Sequence, residues 1–425
     1  MATHKHGVQM ATFWFVSAPL VSHTDWGGLM KTAQALQRRG HDVTWVSEAR
    51  LGGWLAQHEI PFAPIRATGW LWPPPPAPDL SNLPPQEAVN LRYKRALDTW
   101  LTEDLVADAV EALLALADDI GAPDLIVTDP FLSGVALAAE ALAVPLVVCG
   151  WPAQASLNAQ QLFPVQQSLG TDSQQRIDRL CRRFGLEGTN FDRGPTPSII
   201  SPHAHINYFS RGWFIAEEHT LLPQNHFVGG HPVTPDDEAP QWLQDIPAEQ
   251  PLALVTLGTV FTGDLGFFSW AAQAAVHAGL LPIVAIGYNP LAPEKKAELK
   301  AALPRGTRLL NWAPFEHVLP RTRLMIHHGG MGTTHAAVVH GVPQIVVPHA
   351  ADQRGQAKRV AQAKVGLNLS AHDVRQGMLF EGVLALANDE HVAKTARQLA
   401  EEFRALGGPQ RAAEIVTGIL NGGAG

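Results

Sequence analysis

Residues 327 to 334 read His-His-Gly-Gly-Met-Gly-Thr-Thr, directly after the apolar run Leu324–Ile326 and before an apolar helical stretch. A strand, then small residues, then a helix is an arrangement that can hold a phosphate. Small residues let the backbone approach the anion, and the free N–H groups and positive dipole end of the helix stabilise its charge. His328 can add a donor to the same diphosphate. His327 beside it raises the question of a metal. Adjacent residues leaving a strand point opposite ways, however, and no carboxylate or thiolate sits at ligand spacing. His327 is expected to pack or brace, and no metal is expected. Nearby, Asn311-Trp312-Ala313-Pro314-Phe315 offers an exposed or core aromatic. Pro348-His349-Ala350-Ala351-Asp352-Gln353 offers a polar pair that either caps the next helix or meets a ligand.

A second place for chemistry is the loop Val21 to Gly28, which joins the first strand to the first helix and carries His23 and Asp25. It falls at the carboxyl edge, where open α/β sheets bind ligands. It lacks GxGxxG, which argues against a dinucleotide oxidoreductase. Asp129 stands at the end of another apolar run, in Pro123-Asp124-Leu125-Ile126-Val127-Thr128-Asp129-Pro130. Taken singly, Asp25 also fits a helix cap, His23 a solvated loop histidine, and Asp129 a turn before proline.

The elements that must position these groups alternate between strand and helix. Ala11–Val16, Asp42–Val46, Leu125–Val127 and Pro145–Val148 are apolar runs, with helical spacing over Leu29–Arg39 and Gly134–Leu142. Gly40 ends the first of these helices. The pattern restarts near residue 251: Leu252–Leu257, Leu281–Ile286, Leu324–Ile326 and Gln344–Val347 read as strands and Trp270–Ala278 as a helix. Apolar strands separated by helices indicate parallel sheets covered on both faces. The expected organisation is α/β, with an N-terminal domain over 1–230, a Pro-rich acidic linker over 231–250 and a C-terminal domain over 251–425. The last helical stretch is Glu390–Leu406, and the chain end after it is expected to pack near the N-terminal half.

With 425 residues, two domains are the natural prior. The net charge of −8 and the lack of a dense Lys/Arg run set aside a nucleic-acid reader. The two cysteines, Cys149 and Cys181, make neither a disulfide framework nor a metal knuckle, which fits a reducing cytoplasm. No run reaches the roughly 18 apolar residues of a membrane span, and the start lacks the order of a signal peptide. Peripheral membrane contact stays open. Nine of the twelve tryptophans lie before Gly230, two of them in Gly-Trp-Leu-Trp-Pro-Pro-Pro-Pro-Ala-Pro at 69–78. That proline segment must be largely extended. Trp70 and Trp72 either pin it to its domain or line an apolar cleft.

The block from Asn311 to Gln353 resembles the nucleotide-sugar signature of the inverting glycosyltransferases that include plant secondary-product, sterol, macrolide and glycopeptide enzymes. The resemblance implies the GT-B fold: two Rossmann-like domains facing across a cleft. It also implies that Trp312, with Ala313 beside it, stacks on the nucleotide base, and that His328 contacts the diphosphate. Gly330, Met331, Gly332 and Thr333 would line the phosphate pocket, Gly258 and Thr259 would lie near the phosphates, and Asp352 and Gln353 would bind sugar hydroxyls. Phe315 and Ala336 depart from the plant pattern, which has Gln and Glu there. The donor therefore stays open between a UDP-sugar, such as UDP-glucose, and a dTDP-sugar.

The family's base histidine lies in the first loop. Counting back from Gly40-His41-Asp42-Val43 puts that position on Asp25, as in the glycopeptide branch, whereas a two-residue extension puts it on His23. Histidine, with an ordinary pKa of about 6.5 against about 3.9 for aspartate, is the better proton acceptor near neutrality. Asp129 matches the residue that orients the base in plant relatives, which favours His23 with Asp129. The expected reaction moves a hexose from the nucleotide to a hydroxyl of a lipophilic small molecule, with no cofactor beyond the donor itself and no metal. A nucleotide-sugar epimerase of similar architecture and an inactive nucleotide-sugar-binding partner are the alternatives.

Overall fold

The computed structural model describes residues 10–422 except Trp26, Ala77, 79–81, Ala159, Gln161, Asp236, 259–264, 288–290 and Ala350. The chain divides into two compact units, one formed by residues 1–208, 216–228 and 409–425 and the other by residues 209–215 and 229–408.

The first unit holds β1 (Thr12–Val16), β2 (Asp42–Glu48), β3 (Phe62–Ile65), β4 (Leu125–Thr128), β5 (Leu146–Cys149), the short antiparallel pair β6 (Phe191–Asp192) and β7 (Ser198–Ile199), β8 (Ala204–Asn207) and β9 (Asn225–Phe227). Its main sheet runs β3-β2-β1-β4-β5-β8-β9, and every pairing is parallel. From the central pair β1/β4 the chain order runs outward in both directions, which opens a crevice at the strands' carboxyl ends. β1 (Thr-Phe-Trp-Phe-Val) is covered on both faces, with Phe13, Phe15 and Val16 fully buried. The helix Leu29–Arg38 buries Leu29, Met30, Ala33 and Leu36 on one stripe. Each leucine so buried contributes about 1.5–3 kcal/mol. Gly40, at φ +84°, lets the chain turn back into β2.

The second unit holds β10 (Leu252–Thr256), β11 (Leu281–Ala285), β12 (Arg308–Leu310), β13 (Thr322–His327), β14 (Gln344–Val346) and β15 (Gly366–Asn368), in the parallel order β12-β11-β10-β13-β14-β15. Here too the order runs outward from one central pair, β10/β13. The helix expected over Trp270–Ala278 spans Leu265–His277, and the strand expected over Leu324–Ile326 extends to Thr322–His327. Polar ends hid the longer strand, because Thr322 and His327 carry no apolar signal.

Three further features bear on organisation. Glu390–Ala405 is followed by another helix, Gly408–Leu420, most of which belongs to the first unit. There Arg39 donates to the Gln410 carbonyl and to Glu414, each at 3.2 Å. Within the segment expected to be a linker, residues 241–247 are packed rather than loose. Leu243 and Ile246 are buried in the second unit, and Arg321 donates to the carbonyls of Leu243 (2.8 Å) and Ile246 (3.0 Å). Finally, residues 209–215 join the second unit through Trp213 and Phe209, whose rings pack with Phe403.

Candidate active site

At the β1/β4 switch point the loops leaving the two central strands bring His23 to Asp129. Nδ1 of His23 lies 3.1 Å from Oδ2 of Asp129. Asp129 is fully buried. Its Oδ2 also accepts from the Ala18 N–H at 3.2 Å, and its Oδ1 accepts from the Phe131 N–H at 2.9 Å. The carboxylate is thus held by backbone donors from both strand ends, and its remaining acceptor capacity faces the imidazole. A carboxylate only accepts, so Nδ1 of His23 carries the proton and Nε2 keeps the basic lone pair. Asp25 is placed differently. Its backbone carbonyl accepts from Gly28 N (2.6 Å) and Leu29 N (2.5 Å), starting the turn into the first helix. Its Oδ1 is buried without a hydrogen-bond partner, and no side chain caps that helix.

At the β10/β13 switch point the polar side chain is His328, 7% exposed. Two glycines enclose its ring. A Cβ on Gly258 would lie 2.6 Å from Cε1, and one on Gly330 would lie 2.6 Å from Nε2. Gly258 also sits at φ +74°, a conformation that side chains rarely adopt. Burial first, then the neighbouring His327 and His349, pushes His328 down to about 3, so the ring is neutral near pH 7. His327 turns the other way. Its Nδ1 accepts from Gly329 N at 3.0 Å and its Nε2 donates to Gln344 Oε1 at 2.9 Å, and burial lowers its pKa to about 4. It braces the turn and faces no ligand space.

The helix Met331–Val339 begins immediately after, with Gly330 at its cap position and no side chain capping it. Its first backbone bond is Thr334 N to Gly330 O at 2.9 Å. The N–H groups of Met331, Gly332 and Thr333 precede that bond and make no bond within the helix, an arrangement that suits an anion. Met331 offers its backbone only, because its side chain is buried and its Sδ accepts from Gln356 Nε2 at 3.1 Å. The same Gln356 accepts from Trp213 Nε1 at 2.9 Å. This Trp213–Gln356–Met331 chain steadies the helix start. Sequence reasoning missed it because its members are 118 and 25 residues from Met331.

The other expected residues fall around this point. Trp312 follows β12, is 41% exposed and lies nearly parallel to Phe315, with planes 9° apart and centroids at 6.3 Å. Ala313 is buried in the core of the second unit. Asp352 stands partly exposed in the first turn of the helix Ala351–Gln362. Gln353 is buried, and its Oε1 accepts from His349 N at 2.8 Å, so its carbonyl oxygen is turned onto its own loop. Thr259 lies outside the described residues. Among the described residues no group of three His, Cys, Asp or Glu is arranged to hold a metal, and no helix is long and apolar enough to cross a membrane.

Known proteins are similar to this chain in sequence and in fold. Residues 290–419 match the family model described as erythromycin biosynthesis protein CIII-like, C-terminal domain. The chain is 25% identical to the demethyllactenocin mycarosyltransferase of Streptomyces fradiae, over 97% of this chain and 87% of that protein. In fold it is similar to the glycotransferase of kitacinnamycin, with a TM-score of 0.75 at 21% identity, covering 97% of this chain and 100% of the other. The spinosyn rhamnosyltransferase complexed with thymidine diphosphate has a TM-score of 0.68 at 21% identity, covering 95% and 99%. With two outward-wound parallel sheets and a glycine-lined helix N-terminus at the second switch point, the chain has the GT-B fold of these glycosyltransferase structures, and its C-terminal part is similar to the erythromycin CIII-like domain.

Proposed function

We propose that the protein transfers a hexose from a nucleoside diphosphate sugar to a hydroxyl of a lipophilic small molecule, with inversion at the anomeric carbon. The observation that carries this reading is the His23–Asp129 pair at 3.1 Å. Asp129 holds the imidazole in the tautomer whose Nε2 is basic and stabilises it once protonated. As the acceptor oxygen bonds to the anomeric carbon, Nε2 takes the hydroxyl proton and the bond to the diphosphate breaks. The leaving diphosphate carries its charge to the N–H groups of Met331, Gly332 and Thr333 and to one donor of His328. Trp312 stacks on the base, and Asp352 with Gln353 orients the sugar. Thymidine diphosphate in the spinosyn rhamnosyltransferase structure supports a dTDP-sugar as donor alongside a UDP-sugar. No step calls for a divalent cation.

The test incubates the protein with dTDP- and UDP-sugars and a panel of lipophilic alcohols and phenols, with and without excess EDTA. Product mass and anomeric configuration are then read. The expected outcome is an acceptor-dependent, EDTA-resistant product of inverted configuration. Conversion of the donor alone to an epimeric sugar nucleotide would instead make the protein an epimerase. Tight nucleotide binding with no turnover on any pair would make it a binding partner.

A further inference from the structure

Beside its contact with Asp129, His23 makes ring contacts with Trp70 and Phe131. The centroids lie 5.1 Å apart for His23–Trp70, 6.3 Å for His23–Phe131 and 5.8 Å for Trp70–Phe131. The planes are inclined to one another by 57°, 55° and 56° in the same order. All three residues are partly exposed. Three rings so inclined make a corner with the imidazole as one wall.

Each aromatic wall is fixed from behind. The Phe131 N–H is bonded to Asp129, so the backbone that carries the ring is tied to the carboxylate that orients His23. Trp70 packs on the core of the first unit and lies on the proline-rich strap. Leu71 N donates to the Thr99 carbonyl at 2.9 Å, and the Arg95 guanidinium donates to the carbonyls of Pro75 and Pro76 at 2.8 Å each. Prolines stiffen the strap itself. The corner is preorganised, so a ligand entering it has little ordering to bring about.

A hydroxyl presented to Nε2 of His23 brings its own carbon skeleton into this corner. A flat aromatic ring can lie face-on to one wall and edge-on to the other, the two geometries that aromatic pairs prefer. A saturated ring has no quadrupole and gains only apolar contact. A phenol is also nearer imidazole in acidity, with a pKa of about 10 for the phenol of tyrosine.

We infer that Trp70 and Phe131 determine acceptor specificity, and that the hydroxyl presented to His23 is borne directly on a flat aromatic ring, as in a phenol or naphthol. This rests on the reading of His23 as the base. The test compares 2-naphthol with its saturated counterpart, decahydro-2-naphthol, which has the same carbon skeleton. Affinity is measured by calorimetry and transfer by kcat/KM, in wild type, Trp70→Leu, Trp70→Phe and Phe131→Leu. Comparing ratios between proteins cancels the greater intrinsic acidity of the naphthol.

The expected result is a wild-type preference for 2-naphthol in binding. Trp70→Leu should reduce that preference about tenfold, Phe131→Leu should reduce it less, and Trp70→Phe should retain most of it. An unchanged circular dichroism spectrum and thermal unfolding transition would show that the variants are folded. If Trp70→Leu fails to fold, Phe131→Leu and Trp70→Phe carry the comparison. Equal wild-type affinity for the two compounds, or a ratio unmoved in folded variants, overturns the inference and leaves transfer itself standing. A Trp70-dependent preference with no product from any sugar supports the aromatic site and overturns the transfer reading instead.

Discussion

The two switch points of this protein share a topology and differ in electrostatics. At β1/β4 a fully buried carboxylate is held by two backbone N–H groups and meets an imidazole. At β10/β13 the corresponding crevice of the second sheet presents glycine backbone, the uncapped start of a helix and a histidine kept neutral by burial. One arrangement favours taking up a proton and the other favours receiving an anion. The difference teaches that winding a sheet outward from a central pair creates a place for chemistry without choosing the chemistry. The choice rests on a few residues at the strand ends. An acid at 129 and an aromatic wall make the first site, while glycines at 258 and 330 leave the second free for close backbone approach.

The largest expected effect separates the two alternatives of the first loop, His23 and Asp25. His23→Ala should lower kcat by roughly 10²–10⁴-fold with nucleotide affinity unchanged. Asp25→Ala should leave turnover within about an order of magnitude. If Asp25→Ala abolishes turnover while His23→Ala retains it, the β1/β4 site is organised around the wrong residue. Next in size is Gly258→Ala. Its Cβ would meet the enclosed His328 ring and its φ of +74° would be strained. Overpacking and backbone strain together should cost about 3 kcal/mol of stability and weaken nucleotide binding. Denaturant melts and calorimetry would register both. A neutral substitution would show that the glycine lining is incidental.

A smaller effect tests the edge of the second site. Trp312 is substantially exposed, so Trp312→Ala should unfold at nearly the wild-type temperature. Loss of one stacking face should weaken nucleoside diphosphate binding by about 1–3 kcal/mol. Titrations with UDP and dTDP in parallel would also rank the two bases. Unchanged affinity in both would remove Trp312 from the site.

The smallest effect concerns pH. The folded pKa of His328 is lowered to about 3 and that of His327 to about 4, below the ordinary 6.5. Between these values the unfolded chain binds more protons than the folded one. Stability is therefore complete above about pH 6.5 and falls as the pH drops towards 4. His205 in the first unit, lowered to about 4 by burial, adds to the same trend. His328→Gln removes one such group, and its melting temperature should fall less steeply from pH 7 to 5.5, by the equivalent of about 1 kcal/mol. Parallel slopes for the two proteins would mean that His328 is not held neutral.

Much of the scaffold and of the second site was legible in the sequence, because the relevant signals are local. A parallel strand buried on both faces shows as an apolar run, and β1, β4, β5, β10 and β14 all do so. The glycine turn before the helix Met331–Val339 is a contiguous string in which strand, glycines and helix follow one another, so its local shape needs no long-range partner to be read. His327 and His328 also divide as strand alternation requires, one bracing and one facing the helix start.

Tertiary structure decided what depends on residues far apart along the chain. His23 and Asp25 differ by two positions, and it is to His23 that the fold brings Asp129, 106 residues away. The Pro-rich segment 231–250 looks like a linker by composition, yet Arg321 and a buried Leu243 tie it to the second unit. Trp70 is one of several tryptophans until the Arg95 clamp on its strap and its contact with His23 give it a place. Helical propensity and strand alternation reach only a few residues along the chain. Side-chain pairing across a sheet edge is set by which strands become neighbours, and that order belongs to the folded molecule.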